Sequence, residues 1–495
     1  MQFSNTYIKL GERFFDPSHP TPVDNPQLFL WNSALADQLQ IPQELQKDTD
    51  ALAQYFSGNQ LLEGAEPLSA AYAGHQFGQF NPQLGDGRAH LLGELLDTQG
   101  IRWDLQLKGS GTSAFSRGGD GRCAIGPAVR EFIMSEAMHA LGVPTTRCLA
   151  VTLTGETVYR QQPHPGAVVT RVGSSHIRVG SFQFFSARGD KESLTVLRDY
   201  TIDRHFPEIN DMEGDRNVLL LEKAIERQIN LVIHWLRVGF IHGVMNTDNT
   251  AISGDTIDFG PCAMLGDYDP RTVYSSIDHQ GRYAYGNQAN IALWNMTRFA
   301  ESLLSLCLKE QPENSDAEPE VKEDLLDQIK DLINGFAERF EKAHQQMLAA
   351  KLGFVEAKDG DETIMLEILD QLTARKMDYT QTFNHLTKSL NDEASHQYLS
   401  EKLADTYNTW RQRVTQQDTD VDTIQSSMRQ QNPVVIPRNH HVEAVLQACE
   451  SSGSPEAALS FLDVLRNPYQ ETADTPQYQD SGEGFDSDYQ TFCGT

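Results

Sequence analysis

Positive charge is scarce in this chain. Its 495 residues carry 40 lysines and arginines against 69 aspartates and glutamates, a formal net charge of −29. So acidic a chain does not suit a general nucleic-acid binder, which needs surplus cations against phosphates. It still allows a nucleotide pocket lined by a few placed basic side chains. Long apolar runs are missing: no stretch of about 18 apolar residues occurs, so no membrane-spanning helix is expected. Met1 to Gly11 lacks an apolar core followed by small residues, and a secretory signal is not expected there. Cysteine is sparse as well. Cys123, Cys148, Cys262, Cys307, Cys449 and Cys493 show no C-x-x-C or zinc spacing, so reduced cytoplasmic thiols are expected.

What the chain does have is length enough to exceed one hydrophobic core, so two lobes with extensions are expected. The stretch that organises the rest is Ile241-His242-Gly243-Val244-Met245-Asn246-Thr247-Asp248-Asn249, followed by Ile257-Asp258-Phe259-Gly260. The Asn249 carboxamide and the Asp258 carboxylate are hard oxygen donors, each at a turn. Mg²⁺ on nucleotide phosphates takes one or two such ligands from a protein. Protein kinases use an H-R-D-x-x-x-x-N loop and a D-F-G triplet for this. Here Val244 stands where the kinase-type aspartate would be, so the metal ligands are kept and the usual base is not.

Lys108 ends a strand expected over 101–108, paired with 89–96 across a turn at Asp97-Thr98-Gln99-Gly100. Alternation puts Ile101, Trp103, Leu105 and Leu107 on one face and Lys108 on the other. Gly85-Asp86-Gly87-Arg88 recurs as Gly119-Asp120-Gly121-Arg122 beyond that hairpin. Glycine lets backbone approach a ligand, and arginine offers phosphate a planar fork. The alternative is two ordinary Asp-Gly turns capped by exposed arginines. Gly126-Pro127 opens a helix through Leu141 with Glu131 in its first two turns. Strand lysine before helix glutamate is the order of the kinase ion pair that orients a phosphate-binding lysine. Arg171 and Arg178 follow as further phosphate candidates. The recurrence of Leu221, Ile225, Ile229, Val232, Ile233 and Leu236 predicts a helix over 216–238.

Residues 1–65 read as an extended arm, since Pro17, Pro20, Pro22 and Pro26 rule out long early helices; a short helix is allowed over 32–39. Residues 69–78 either pack on a site or merely turn. Residues 267–283 read as a surface loop or flap, 311–324 as an acidic linker, and 325–465 as helical, in segments such as 325–351, 363–376, 395–416 and 441–450. The acidic tail, 466–495, is expected to be loosely held, with Cys493 exposed and oxidisable.

Together these residues resemble the YdiU family, the bacterial relatives of selenoprotein O. The likeness rests on Tyr72-Ala73-Gly74-His75-Gln76-Phe77-Gly78, both Gly-Asp-Gly-Arg copies, Leu107-Lys108-Gly109, Arg130-Glu131, the His242 to Asn249 block, Asp278-His279-Gln280-Gly281-Arg282-Tyr283 and Arg466-Asn467-Pro468. It spans nearly the whole chain. It implies an α+β, protein-kinase-like two-lobe fold: an N-terminal arm (1–65), a small β-rich nucleotide-binding lobe (66–165), a large helical lobe with catalytic and metal loops (166–310), a helical extension (325–465) and an acidic tail (466–495). It implies transfer of AMP, or UMP in some descriptions, from ATP or UTP with Mg²⁺ or Mn²⁺ onto Ser, Thr or Tyr hydroxyls of other proteins. The nucleotide lies reversed relative to kinases.

By position, the resemblance has Lys108 hold phosphates and Glu131 orient it. Gly85, Gly87, Arg88, Asp120 and Gly121 line the nucleotide pocket, and Arg171 and Arg178 clamp the distal phosphates. Asn249 and Asp258 hold the metal, and Asp248 accepts the proton. The family's tail often ends in Cys or selenocysteine and two small residues, matched by Cys493-Gly494-Thr495; a second loop cysteine of some relatives is missing from 273–277. The expected protein is a cytoplasmic monomer that engages neither nucleic acid nor membrane. Two rivals stay open: a phosphotransferase using the γ-phosphate, since His-Gly-x-x-x-x-x-Asn also occurs in antibiotic kinases, and a catalytically inactive pseudokinase scaffold.

Overall fold

The computed structural model describes residues 2–308, 322–482 and 484–492. Strands dominate the first third and helices the rest, an α+β arrangement. In chain order the strands are β1 (Phe15–Pro17), β2 (Gln27–Trp31), β3 (Leu68–Ala70), β4 (Gly74–Gln76), β5 (Gln79–Asn81), β6 (Ala89–Leu96), β7 (Arg102–Lys108), β8 (Cys123–Ala124), β9 (Arg147–Tyr159), β10 (Pro163–Gly173), β11 (Phe240–Ile241) and β12 (Ala263–Met264). Eight of them form one antiparallel sheet in the order β1-β3-β6-β7-β10-β9-β2, with β8 also on β10; β4–β5 and β11–β12 are separate two-stranded ribbons. The α-helices are α1 (Ser33–Gln38), α2 (Gln43–Gln46), α3 (Thr49–Ser57), α4 (Ile125–Ala140), α5 (Val179–Ser186), α6 (Lys191–His205), α7 (Arg216–Val238), α8 (Gln288–Leu303), α9 (Glu323–Asn334), α10 (Phe336–Lys351), α11 (Asp361–Arg375), α12 (Tyr379–Lys388), α13 (Glu393–Thr415), α14 (Val421–Gln431), α15 (Asn439–Ser452), α16 (Glu456–Leu465) and α17 (Phe485–Asp488). None of the described helices is long and apolar enough to cross a membrane.

The sheet is covered on both faces. Leu105, Leu107, Val168 and Val172 face a core completed by Leu35, Leu52 and Phe56 of α1 and α3. The other face, carrying Val151, Ala167 and Val169, packs on Ala128, Val129 and Phe132 of α4, in a core continuous with α7 and α8. The alternation expected for 101–108 holds for Trp103, Leu105 and Leu107, while Ile101 precedes β7 and is exposed; the second face is also buried, with Asp104 and Gln106 inside and partnered.

Several expectations change. Residues 1–65 are not an extended arm. They supply both edge strands of the sheet and α3, capped by Asp48 at its start and by Gly58 in the left-handed region at its end. Proline excluded long helices but not edge strands, where it costs no ladder bond. Residues 147–159 form one continuous strand, β9. The helix expected over 325–351 breaks at Gly335, and α12 and α14 fill the gaps between the other expected segments.

The 267–283 loop is pinned rather than free. Asp278 accepts from the Arg282 and Tyr283 amides at 2.9 and 2.7 Å, and Tyr283 is buried. Nor is the described part of the tail loosely held: Thr491 donates from its amide to the Tyr274 carbonyl at 2.7 Å and from Oγ1 to that of Pro261 at 2.7 Å. Most of the acidic linker, Cys493 and its two small neighbours lie outside the described residues.

Candidate active site

Lys108 stands opposite Val169 of β10 and Ala89 of β6, and Arg171 stands opposite Gln106. Cross-strand partners share a face, as do residues two apart on a strand, so Gln106, Lys108 and Arg171 project to one side. Helix α4 crosses that side and adds Glu131. The result is a buried lattice of charge. Lys108 Nζ donates to Glu131 Oε2 at 2.8 Å and to Asp258 Oδ1 at 2.7 Å. Arg171, only 2% exposed, donates to Glu131 Oε1 at 2.7 Å, Asp258 Oδ1 at 2.8 Å and Gln106 Oε1 at 3.3 Å. Burial pushes both carboxyls toward their neutral forms, but the neighbouring cations win. Glu131 is held below the ordinary range by Arg171 and Lys108, and Asp258 well below it by Lys108, Arg171 and Arg178.

The other half of the site hangs from the β11–β12 ribbon. Phe240 pairs with Met264 and Ile241 with Ala263, so the chain leaves and returns at one place. Helix α7 delivers it there and stops at Gly239, φ 78°. His242 braces the loop. Its Nδ1 accepts from the Val244 amide at 3.3 Å, so Nε2 carries the hydrogen given to the Ile257 carbonyl at 2.9 Å; burial keeps the ring neutral. Val244 is buried and carries no proton-accepting group.

Asn249 ends a 3₁₀ turn, Thr247–Asn249, and its Nδ2 donates to the Val244 carbonyl at 3.0 Å. It makes no hydrogen bond to Lys108, Asp248 or Asp258; it joins the group through its loop. Among the described residues, nothing donates to its Oδ1. Asp258 sits in the left-handed region, φ 66°, a conformation few non-glycine residues adopt. Lys108 and Arg171 use only its Oδ1. Oδ2 accepts from no described residue, and the side chain is 26% exposed. Two uncommitted hard oxygens, Asn249 Oδ1 and Asp258 Oδ2, suit Mg²⁺ or Mn²⁺.

Asp248 is 8% exposed. Burial pushes its carboxyl up to about 6, against the pull of Arg178 and a hydrogen bond from Gln76 Nε2 at 3.2 Å. Its Oδ1 is buried with no partner. A Cβ on Gly74 would lie 2.7 Å from that oxygen, so the bare backbone there keeps the place open. The β4–β5 ribbon roofs this turn: Thr247 Oγ1 accepts from the His75 amide at 2.7 Å and donates to Gln183 at 2.6 Å. Asn246 Oδ1 accepts from the Phe77 amide at 3.0 Å and from Tyr283 Oη at 2.6 Å. Residues 69–78 thus pack on the site. Arg178 lies over the Tyr72 ring, 4.2 Å from its centroid, and 3.6 Å from Asp86.

The two Gly-Asp-Gly-Arg copies are not equivalent. Asp86 is buried beside the cluster, accepting from the Ala70 amide at 3.2 Å and Gln106 Nε2 at 3.1 Å. Asp120 takes Arg160 at 2.7 and 3.0 Å nearer the surface, and Arg88 adds positive charge there. A Cβ on Gly85 (φ 71°) would come 2.2 Å from the Phe115 ring, and one on Gly121 (φ 67°) 2.2 Å from the Gly111 backbone. One on Gly87 would come 2.6 Å from the Phe115 carbonyl. Gly85 and Gly87 therefore let the 84–88 loop pack on the 109–122 loop, and Gly121 lets the latter fold back on itself. Sequence reasoning missed Asp86, Gln76, Tyr72 and Gln183; only Gln183 lay outside the stretches that carry a visible motif. A 380 Å³ cleft elsewhere, lined by Asn25, Gln27, Glu156 and His164, touches none of the cluster.

The site is thus a buried lysine–glutamate–arginine–aspartate lattice beside a turn that carries an unpartnered carboxylate oxygen. A family model described as "Protein adenylyltransferase SelO" matches residues 1–466. The chain is 50% identical, over the full length of both, to the protein nucleotidyltransferase YdiU of Teredinibacter turnerae. It is 47% identical to the proteins of that name from Pseudoalteromonas translucida, again over both full lengths, and Anoxybacillus flavithermus, over 100% of this chain and 99% of the other. The chain belongs to the SelO/YdiU family.

Proposed function

We propose that this chain is a protein nucleotidyltransferase that moves AMP, or UMP, from a metal-bound nucleoside triphosphate to a Ser, Thr or Tyr hydroxyl of a protein. The observation that carries the reading is the buried Lys108–Glu131–Arg171–Asp258 lattice beside Asp248, whose carboxyl burial raises to about 6. Family membership favours nucleotidyl over phosphoryl transfer. In the same reading the sheet is the small lobe of a kinase-like pair, the large lobe begins after β10 rather than at residue 166 and runs to 310, and residues 325–465 extend it.

Asn249 and Asp258, each with an uncommitted oxygen, would hold a Mg²⁺ or Mn²⁺ ion. When bound, that ion screens charge on the triphosphate. Lys108 meets phosphate oxygens, steered by Glu131; Arg178 adds charge from the side of Tyr72, and Arg171 from behind the carboxylates. Gly85, Gly87, Arg88, Asp120 and Gly121 shape the loops around the nucleotide. Asp248 accepts the proton of the acceptor hydroxyl, whose oxygen bonds to the α-phosphorus as the bond to the β-phosphate bridging oxygen breaks. Pyrophosphate leaves with its charge met by the cations. Positioning and electrostatics carry such a step, so a valine at 244 is tolerated.

The test offers a protein acceptor ATP labelled on the α- or the γ-phosphate. Label from α alone supports nucleotidyl transfer. Label from γ makes the chain a phosphotransferase, and none from either, with UTP also inert, makes it a scaffold.

A further inference from the structure

Far from Lys108 in sequence, a second group of donors remains without a role. His440 and His441 are consecutive in the first turn of α15, and Asp480 reaches them from the tail. His440 Nε2 lies 3.1 Å from Asp480 Oδ2 and His441 Nε2 2.6 Å from Oδ1. The three ligand atoms lie within 4.8 Å of one another. Both imidazole side chains are mostly buried, 17% and 18% exposed, and the carboxylate is open to solvent at 58%.

Adjacent helical residues normally diverge by about 100°, yet these ring centroids are only 4.0 Å apart. Two surroundings hold them so. His441 is wedged between Tyr478 and Phe461, with centroids at 5.1 and 6.1 Å. Gly482 presses on the other ring: a Cβ there would lie 2.4 Å from His440 Nδ1.

We propose that His440, His441 and Asp480 form a Zn²⁺ site. Two imidazole nitrogens and one carboxylate oxygen are the borderline set that Zn²⁺ favours over Mg²⁺ or Mn²⁺, and a solvent molecule completes four-coordination. Ligand atoms in a tetrahedral zinc site lie about 3.3 Å apart, given bonds of roughly 2.0–2.1 Å, so the present spacing closes on an ion with small side-chain adjustments. The site would staple the tail to α15. Asn439, one residue before the histidines, donates to the Met264 carbonyl and to Asp486, both within 2.9 Å, and its Oδ1 accepts from the Met264 amide. The ion would thus hold the segment that runs on to Thr491, against the loop after Asp258.

The experiment is Zn²⁺ titration of the full-length protein with millimolar Mg²⁺ present, followed by calorimetry and by limited proteolysis of the tail. One Zn²⁺ per chain binds with micromolar affinity or better, His440→Gln and His441→Gln each weaken it at least tenfold, and Zn²⁺ slows tail cleavage in the wild type alone. Asp258→Asn and Cys493→Ser retain the binding. Each variant is checked for an unchanged circular dichroism spectrum, and Asp480→Asn, at an exposed position, serves where a histidine variant does not fold. No Zn²⁺ binding by wild type, or equal affinity in the folded His441→Gln and Asp480→Asn proteins, overturns the site. None of these outcomes depends on nucleotidyl transfer.

Discussion

Replacing Asp248 with asparagine separates the electrostatics of the site from its shape. The wild-type carboxyl sits at about 6 when folded, against an ordinary 3.8. A carboxyl raised by folding binds its proton more tightly folded than unfolded, so its ionisation opposes folding. The loss of stability begins as pH rises through about 4 and is complete above about 6. The rise from 3.8 to about 6, at roughly 1.36 kcal/mol per pH unit, makes the loss on the order of 3 kcal/mol at pH 7. At 8% exposure, solvent screens little of it. The carboxamide of the Asp248→Asn variant would keep the shape, accept from Gln76 and never ionise. Urea unfolding of both proteins between pH 4 and pH 8 should therefore show Asp248→Asn gaining about 3 kcal/mol on wild type across that range. Transferase activity should move oppositely. Wild type rises with pH through about 6 as the base loses its proton, and Asp248→Asn is flat and lower by roughly 10²–10⁴. A stability difference that does not change with pH would refute the desolvation argument, and an unchanged acidic limb in Asp248→Asn would remove the residue from proton transfer.

The other variants probe the lattice and the loops. Lys108→Ala should cut turnover by about 10²–10³ or more, at the scale of lost charge stabilisation, with circular dichroism unchanged; near-normal activity contradicts its role. Asp258→Asn removes an oxygen ligand and one anion facing two cations, so divalent-ion dependence should shift to higher concentration by at least tenfold, read by activity against Mg²⁺ and Mn²⁺. Gly85→Ala places a Cβ in the Phe115 ring at positive φ and should cost roughly 2–4 kcal/mol in thermal unfolding.

Much of this arrangement was legible in the chain because it follows from periodicity and turn chemistry. Helix α7, from the recurrence of its apolar residues at three- and four-residue steps, and the β6–β7 hairpin with its Asp97–Gly100 turn came from local rules. So did the order in which lysine, glutamate, asparagine and aspartate appear. What local rules could not supply was pairing between distant segments. Nothing in Pro17 or Leu28 says that these residues become edge strands beside Leu68 and Thr152. The same gap hid the roof of the site: Gln76 meets Asp248 across 172 positions. The repeated tetrapeptide misled in a different way, since identical residues occupy unlike surroundings, Asp86 inside and Asp120 paired outside with Arg160.

The charge lattice has a bearing on which nucleotide form can enter. Three cations of the site already have anionic counterparts: Lys108 and Arg171 are matched by Glu131 and Asp258, Arg178 by Asp86. A site in such electrical balance offers little net attraction to a naked triphosphate and repels it from the carboxylate side. On the proposed reaction, the donor would therefore arrive already complexed, with its accompanying ion, rather than the nucleobase, as the admission ticket.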